Sequence, residues 1–92
     1  MAIMLVSYDL NKAGKNYSGL IAAIQGYTHC KALKSAWLIE TALSPDQIRD
    51  ALLKQIDGDD ALLVIRFRSA DWASYLSKAV NDWLNAPNRV WG

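Results

Sequence analysis

The chain has 92 residues, 52% of them apolar, with ten Lys and Arg against nine Asp and Glu. That length suits one domain, residues 1–92, with a modest core. A net charge of +1 excludes a global positive field, so any nucleic-acid binding must rest on local clusters of Lys and Arg. Cys30 is the only cysteine, which excludes an intramolecular disulfide and a cysteine metal cluster, and suits a reducing cytoplasm. No apolar run reaches the roughly 20 residues of a membrane span, and no basic segment followed by a long apolar one opens the chain, so no signal peptide is expected. Four Trp, four Tyr and one Phe are many for so short a chain, and some should lie at a subunit interface.

Ile3 to Asp9 reads as a central strand, because Ile3-Met4-Leu5-Val6 is continuously apolar and a polar segment with Gly14 follows. Tyr17, Leu20, Ile21, Ile24 and Tyr27 recur at helical spacing, with Gly26 placed for a left-handed cap. Thr28 to Lys34 permits a weak strand, and Ser35 to Ala42 a better one around Trp37, Leu38 and Ile39. No Asn-Gly or Asp-Gly separates them, so one bent strand or a bulged pair is expected rather than a tight hairpin.

Ser44-Pro45-Asp46-Gln47 carries a capping serine, a proline for the first helical position and a glutamine that completes a capping box. Ile48, Leu52 and Ile56 share one face of that helix. It should stop before the turn chemistry of Asp57-Gly58-Asp59-Asp60, which lacks the spacing and final Glu of a calcium loop. Ala61 to Arg68 reads as a strand whose period of two sets Arg66 and Arg68 opposite Phe67. Asp71 then caps a third helix striped by Trp72, Tyr75, Leu76, Val80, Trp83 and Leu84, with Lys78 and Asp82 as an exposed pair. Pro87 ends it.

The order is strand, helix, one or two strands, helix, strand, helix. It predicts an α+β protein: a ferredoxin-like α/β sandwich, β-α-β-β-α-β, with an added C-terminal amphipathic helix. Helical crossovers favour parallel neighbours in the sheet. One sheet face stays open for the third helix or a second subunit.

The stretch Val6-Ser7-Tyr8-Asp9-Leu10, the Ser35-Ala36-Trp37-Leu38-Ile39-Glu40-Thr41 strand leading into Ser44-Pro45-Asp46-Gln47-Ile48, and Asp60 to Arg68 together resemble the small CRISPR-associated partner of the integrase. They also resemble its VapD toxin relatives. Arg66-Phe67-Arg68-Ser69-Ala70-Asp71-Trp72 looks more like VapD, and small bacterial proteins labelled SinR-like are the nearest in kind. The likeness covers most of the first 72 residues. The last helix departs from it, because a further strand often completes the dimer in the CRISPR-associated proteins. The resemblance implies a dimerising ferredoxin-like fold and, in several relatives, metal-dependent cleavage of RNA or DNA. The family's proposed metal ligand maps onto Asp9, and the serine before its aromatic strand maps onto Ser35.

A lone carboxylate at Asp9 holds Mg²⁺ only when phosphate and water complete the shell, and two copies at a dimer axis would do better. The competing reading has Asp9 accepting backbone hydrogen bonds as the loop begins. Lys12 and Lys15 are candidate phosphate contacts or merely solvated. Arg66 and Arg68 either neutralise a phosphate backbone or pair with acids at an interface, with Asp57, Asp59 and Asp60 as local partners. His29 as an acid or base is weighed against an ordinary surface histidine, and Cys30 reads as a small semi-buried side chain. Trp72, Tyr75 and Trp83 read as core or interface rather than as base-stacking platforms. The expectation is a homodimer or higher homo-oligomer, cytoplasmic and not membrane-bound, that acts on nucleic acid. If active it is a Mg²⁺-dependent endonuclease or endoribonuclease; the alternative is a non-catalytic oligomerisation, binding or regulatory module.

Overall fold

The computed structural model describes residues 1–11 and 17–91. In chain order the elements are β1 (Ala2–Asp9), α1 (Ser18–Gln25), β2 (Thr28–Leu33), β3 (Ala36–Thr41), α2 (Pro45–Leu53), β4 (Ala61–Arg66) and α3 (Lys78–Leu84). The four strands form one sheet in the order β2-β3-β1-β4. Every neighbouring pair is antiparallel, which corrects the expectation of parallel neighbours. The strands joined through a helix do run parallel, but each such pair is separated by a third strand. The result is an α+β sandwich built on an antiparallel sheet.

The unbroken apolar run in β1 has a direct cause: both faces of this strand are covered. Met4, Val6 and Tyr8 point to one side and pack with Trp37 and Ile39 of β3, Leu20 and Ile24 of α1, and Ile48 and Leu52 of α2. Ile3 points to the other side and packs with Leu38 of β3 and Val80 and Leu84 of α3. Burying a large aliphatic side chain contributes about 1.5–3 kcal/mol, so these two clusters hold the sheet between its helices. No helix among the described residues is long and apolar enough to cross a membrane.

Several elements follow their local chemistry. The capping box forms: the Gln47 amide donates to Ser44 Oγ at 3.2 Å, and the Ser44 amide donates to Gln47 Oε1 at 2.8 Å. β2 and β3 carry the expected bulge, between Lys31 and Leu33, yet they also meet through the two-residue turn Lys34-Ser35, so the tight hairpin exists. Gly26 is right-handed, with φ −71°, and needs no left-handed cap because its amide already bonds the carbonyls of the last turn. β4 ends at Arg66 rather than Arg68; beyond it the Phe67 amide still donates to the Ile3 carbonyl at 3.0 Å.

The third helix begins six residues later than the apolar stripe predicts. Ser77, not Asp71, is its cap, accepting from the Val80 amide. The preceding segment stays irregular, and Trp72 tilts against Trp91 with ring centroids 5.5 Å apart. Tertiary packing of Trp72 and Leu76 on the sheet overrides helical periodicity here, and Tyr75 is left fully exposed. The tail folds back onto the sheet. Arg89 meets Glu40 of β3 at 3.4 Å, donates from Nε to the Trp83 carbonyl at 3.0 Å, and lies 3.7 Å from the centre of the Trp83 ring.

Candidate functional site

Asp9 is the last residue of β1 and is exposed. Its strand partner is Ala61, the first residue of β4. Alternation along β1 sets Asp9 with Ser7, Leu5 and Ile3, on the sheet face away from α1 and α2. A shallow depression there is bounded by Ser7, Tyr8, Asp9, Ala61, Leu62 and Leu63. Ser35 reaches the same end of the sheet: the Tyr8 amide donates to its carbonyl at 3.0 Å. Ser35 therefore lies across from Tyr8, one residue from Asp9. No hydrogen bond joins the Asp9 and Ser35 side chains among the described residues.

The acid next to Asp9 in space has a different task. Asp60 precedes Ala61 and gathers three segments. Its Oδ1 accepts from the Asn11 amide at 2.9 Å and from the Tyr17 hydroxyl at 3.0 Å, and its Oδ2 accepts from the Asp57 amide at 2.8 Å. Asn11 Nδ2 also donates to the Asp59 carbonyl at 2.6 Å. The end of β1, the start of α1 and the α2–β4 turn are thus tied through one carboxylate. The sequence marked Asp57-Gly58-Asp59-Asp60 as a turn; nothing in it shows that Asp60 reaches as far as Asn11 and Tyr17.

Among the described residues, no group of three His, Cys, Asp or Glu side chains is placed to hold a metal ion. Asp9 and Asp60 are both at the β1 end, but the Asp60 oxygens already accept from Asn11, Tyr17 and Asp57, so a Mg²⁺ site of two carboxylates would draw its second acid from another copy. Lys12 and Lys15, which follow Asp9 in sequence, lie outside the described residues.

Arg66 and Arg68 belong to the other end of the sheet. Arg66 pairs with Met4, five residues before Asp9. At about 3.3 Å per residue the two ends are roughly 17 Å apart along the strand. Asp57, Asp59 and Asp60 lie before the start of β4, so within one chain they sit at the end of the sheet away from these arginines. Both arginines instead line a cleft of about 400 Å³ with Ala2, Thr41, Leu43 and Phe67.

The other candidates, His29 and Cys30, sit in packing contacts. The His29 ring packs at 5.6 Å from Trp37, and its Nδ1 donates to the Tyr27 carbonyl at 2.8 Å. Trp37 Nε1 in turn donates to the buried Tyr8 hydroxyl at 3.1 Å. Cys30 is half-buried on the α3 side, and burial raises its thiol pKa above the ordinary value against a smaller opposing pull from Arg89. A thiol held protonated is a poor nucleophile. No family model and no curated protein matches this chain.

Proposed function

We propose that this chain is a ferredoxin-like protein that acts on nucleic acid as a homodimer, with the Asp9 carboxylates of two copies forming a Mg²⁺-dependent phosphodiester-cleaving centre. The chain order β-α-β-β-α-β and the sheet order β2-β3-β1-β4 support the ferredoxin-like reading. The resemblance of Val6-Ser7-Tyr8-Asp9-Leu10 to the CRISPR-associated and VapD proteins supports the chemistry.

One observation carries the reading. Asp9 shares its sheet face with an uncovered apolar strip, Leu63 and Ile65, which are 55% and 44% exposed. In the register Leu5 meets Ile65, Ser7 meets Leu63 and Asp9 meets Ala61. A twofold contact over that strip buries Leu63 and Ile65 and brings the two Asp9 carboxylates toward one axis. Bound Mg²⁺ would supply polarisation of the phosphodiester. Asp9 would hold the ion from each side, and Ser35, Lys12 and Lys15 would contact the nucleic-acid backbone beside it.

The test is cleavage of labelled RNA and DNA with Mg²⁺ by wild type and Asp9→Ala. The expected result is cleavage by wild type that is lost in the variant and on chelation. Equal cleavage by both proteins, or none by either, sinks the nuclease reading. The second reading, a non-catalytic binding module, is favoured by the hydrogen bonds that already occupy Asp60, the acid beside Asp9 at this end; binding without cleavage would establish it.

A further inference from the structure

We propose that the cleft at the opposite end of the sheet, between Thr41–Leu43 and Arg66–Arg68, binds a phosphomonoester: the terminal phosphate of a nucleic-acid strand or of a free nucleotide. The inference goes beyond the Asp9 reading and stands on different residues.

Three observations carry it. First, these two arginines lack acids. Arg49 pairs with Asp50 at 3.0 Å and approaches Asp46, and Arg89 pairs with Glu40. Arg66 and Arg68 meet no carboxylate among the described residues, and no acidic side chain lines their cleft. Second, Arg66 is not simply solvated. Its Nε is shut off from solvent and has no hydrogen-bond partner. A buried donor left unmet costs about 1–3 kcal/mol, and a small shift of the guanidinium toward an oxyanion in the cleft would relieve it. Third, Thr41 is buried at the cleft wall, and its Oγ1 accepts from the Leu43 amide at 3.1 Å. With the oxygen so held, the hydroxyl proton is left to donate.

Charge and size select the ligand. A terminal phosphomonoester carries about −1.5 to −2 at neutral pH and three strong acceptor oxygens, whereas an internal phosphodiester carries a single charge. Two guanidinium groups match the former, since each forms paired bonds to phosphate oxygens. The cleft volume of about 400 Å³ lies within the usual small-ligand range of roughly 300–1,000 Å³. It accommodates a phosphate together with the nucleoside attached to it.

The experiment measures binding of four probes to the full chain: a 5′-phosphorylated oligonucleotide, the same oligonucleotide with a 5′-hydroxyl, a nucleoside monophosphate and inorganic phosphate. The variants are Arg66→Gln and Arg68→Ala; Arg68 is exposed beyond the strand, so its truncation leaves the fold intact. The phosphorylated oligonucleotide should bind on the order of tenfold or more tighter than the hydroxyl form. Each variant should remove most of that difference, and inorganic phosphate should compete. A monophosphate that binds as tightly as the phosphorylated oligonucleotide assigns the cleft to free nucleotides; weaker binding assigns it to strand ends. Equal binding of the two oligonucleotides, or a phosphate preference that survives in both variants, overturns the proposal. None of these outcomes depends on cleavage at Asp9, so the two proposals fail separately.

Discussion

Asp9 and Arg66 lie on neighbouring strands of one sheet and at opposite ends of it. Arg66 faces Met4 across the β1–β4 pair, while Asp9 closes the same pair against Ala61. The acid and the paired arginines therefore cannot grip the same phosphate within one chain. Asp9→Ala should abolish Mg²⁺-dependent cleavage without weakening the preference for a 5′-phosphate. Loss of both from this one substitution, in a protein with unchanged circular dichroism, would show that the two ends form one site.

The exposed strip on β4 gives a second prediction. Leu63→Lys combined with Ile65→Lys should leave the fold intact, since both side chains already face solvent. Lysines on the facing surfaces would repel, so the double variant should sediment as a monomer where wild type sediments as a dimer. Its cleavage should fall with its dimer fraction. A wild-type chain that is monomeric throughout the micromolar range would remove the shared centre.

Asp60 should matter more to stability than its place in a polar turn implies. Asp60→Ala strips acceptors from the Asn11 amide, the Tyr17 hydroxyl and the Asp57 amide together. The expected loss is on the order of 2 kcal/mol or more, read from the midpoint of urea unfolding. Asp60→Asn keeps one oxygen and should lose less. A change within a few tenths of a kcal/mol would mean that water replaces the knot at little cost.

Glu40 and Arg89 form an ion pair with side chains only 11% and 9% exposed. Removing either partner leaves a buried charge, so Glu40→Ala or Arg89→Ala should each cost about 3–5 kcal/mol. The double variant should be less destabilised than the sum of the two. Strict additivity in that cycle would show that the two groups do not interact across the sheet.

Cys30 gives a pH prediction with a definite sign. Its folded pKa is raised by burial, so folding favours the protonated thiol. That contribution is fully present below the ordinary thiol pKa and is lost as pH rises through the raised folded value. Alkylation of native Cys30 at neutral pH should be slower than in the unfolded chain and should accelerate with rising pH. Replacing Cys30 by Ala should flatten the alkaline end of the stability profile. Native alkylation as fast as in denaturant at neutral pH would contradict the burial.

Much of the sheet was legible because its signals are local. The capping box at Ser44 and Gln47, the apolar run of β1 and the face of α1 through Leu20 and Ile24 all follow from short spacings. The third helix misled, because Trp72, Tyr75 and Leu76 keep helical period while Trp72 and Leu76 are spent on the sheet and on Trp91 in an irregular segment. Asp9 was legible as the end of a strand. The reach of Asp60 to Asn11 and the cleft shared by Thr41 and Arg66 were not, because each joins residues far apart in sequence whose side chains carry no mark of their partners.

The position of β1 also shapes how the chain is made. This strand leaves the ribosome before either of its partners, and it becomes the centre of the sheet. Its β3 edge stays bare until Thr41 emerges, and its β4 edge until Arg66 does. At about 5–20 residues per second that is an exposure of several seconds for Ile3-Met4-Leu5-Val6, the most apolar segment of the strand. The nascent chain thus carries a sticky strand, bare at both edges until Thr41 emerges and at one edge from then until Arg66, and its yield in a cell will depend on what shields that strand meanwhile.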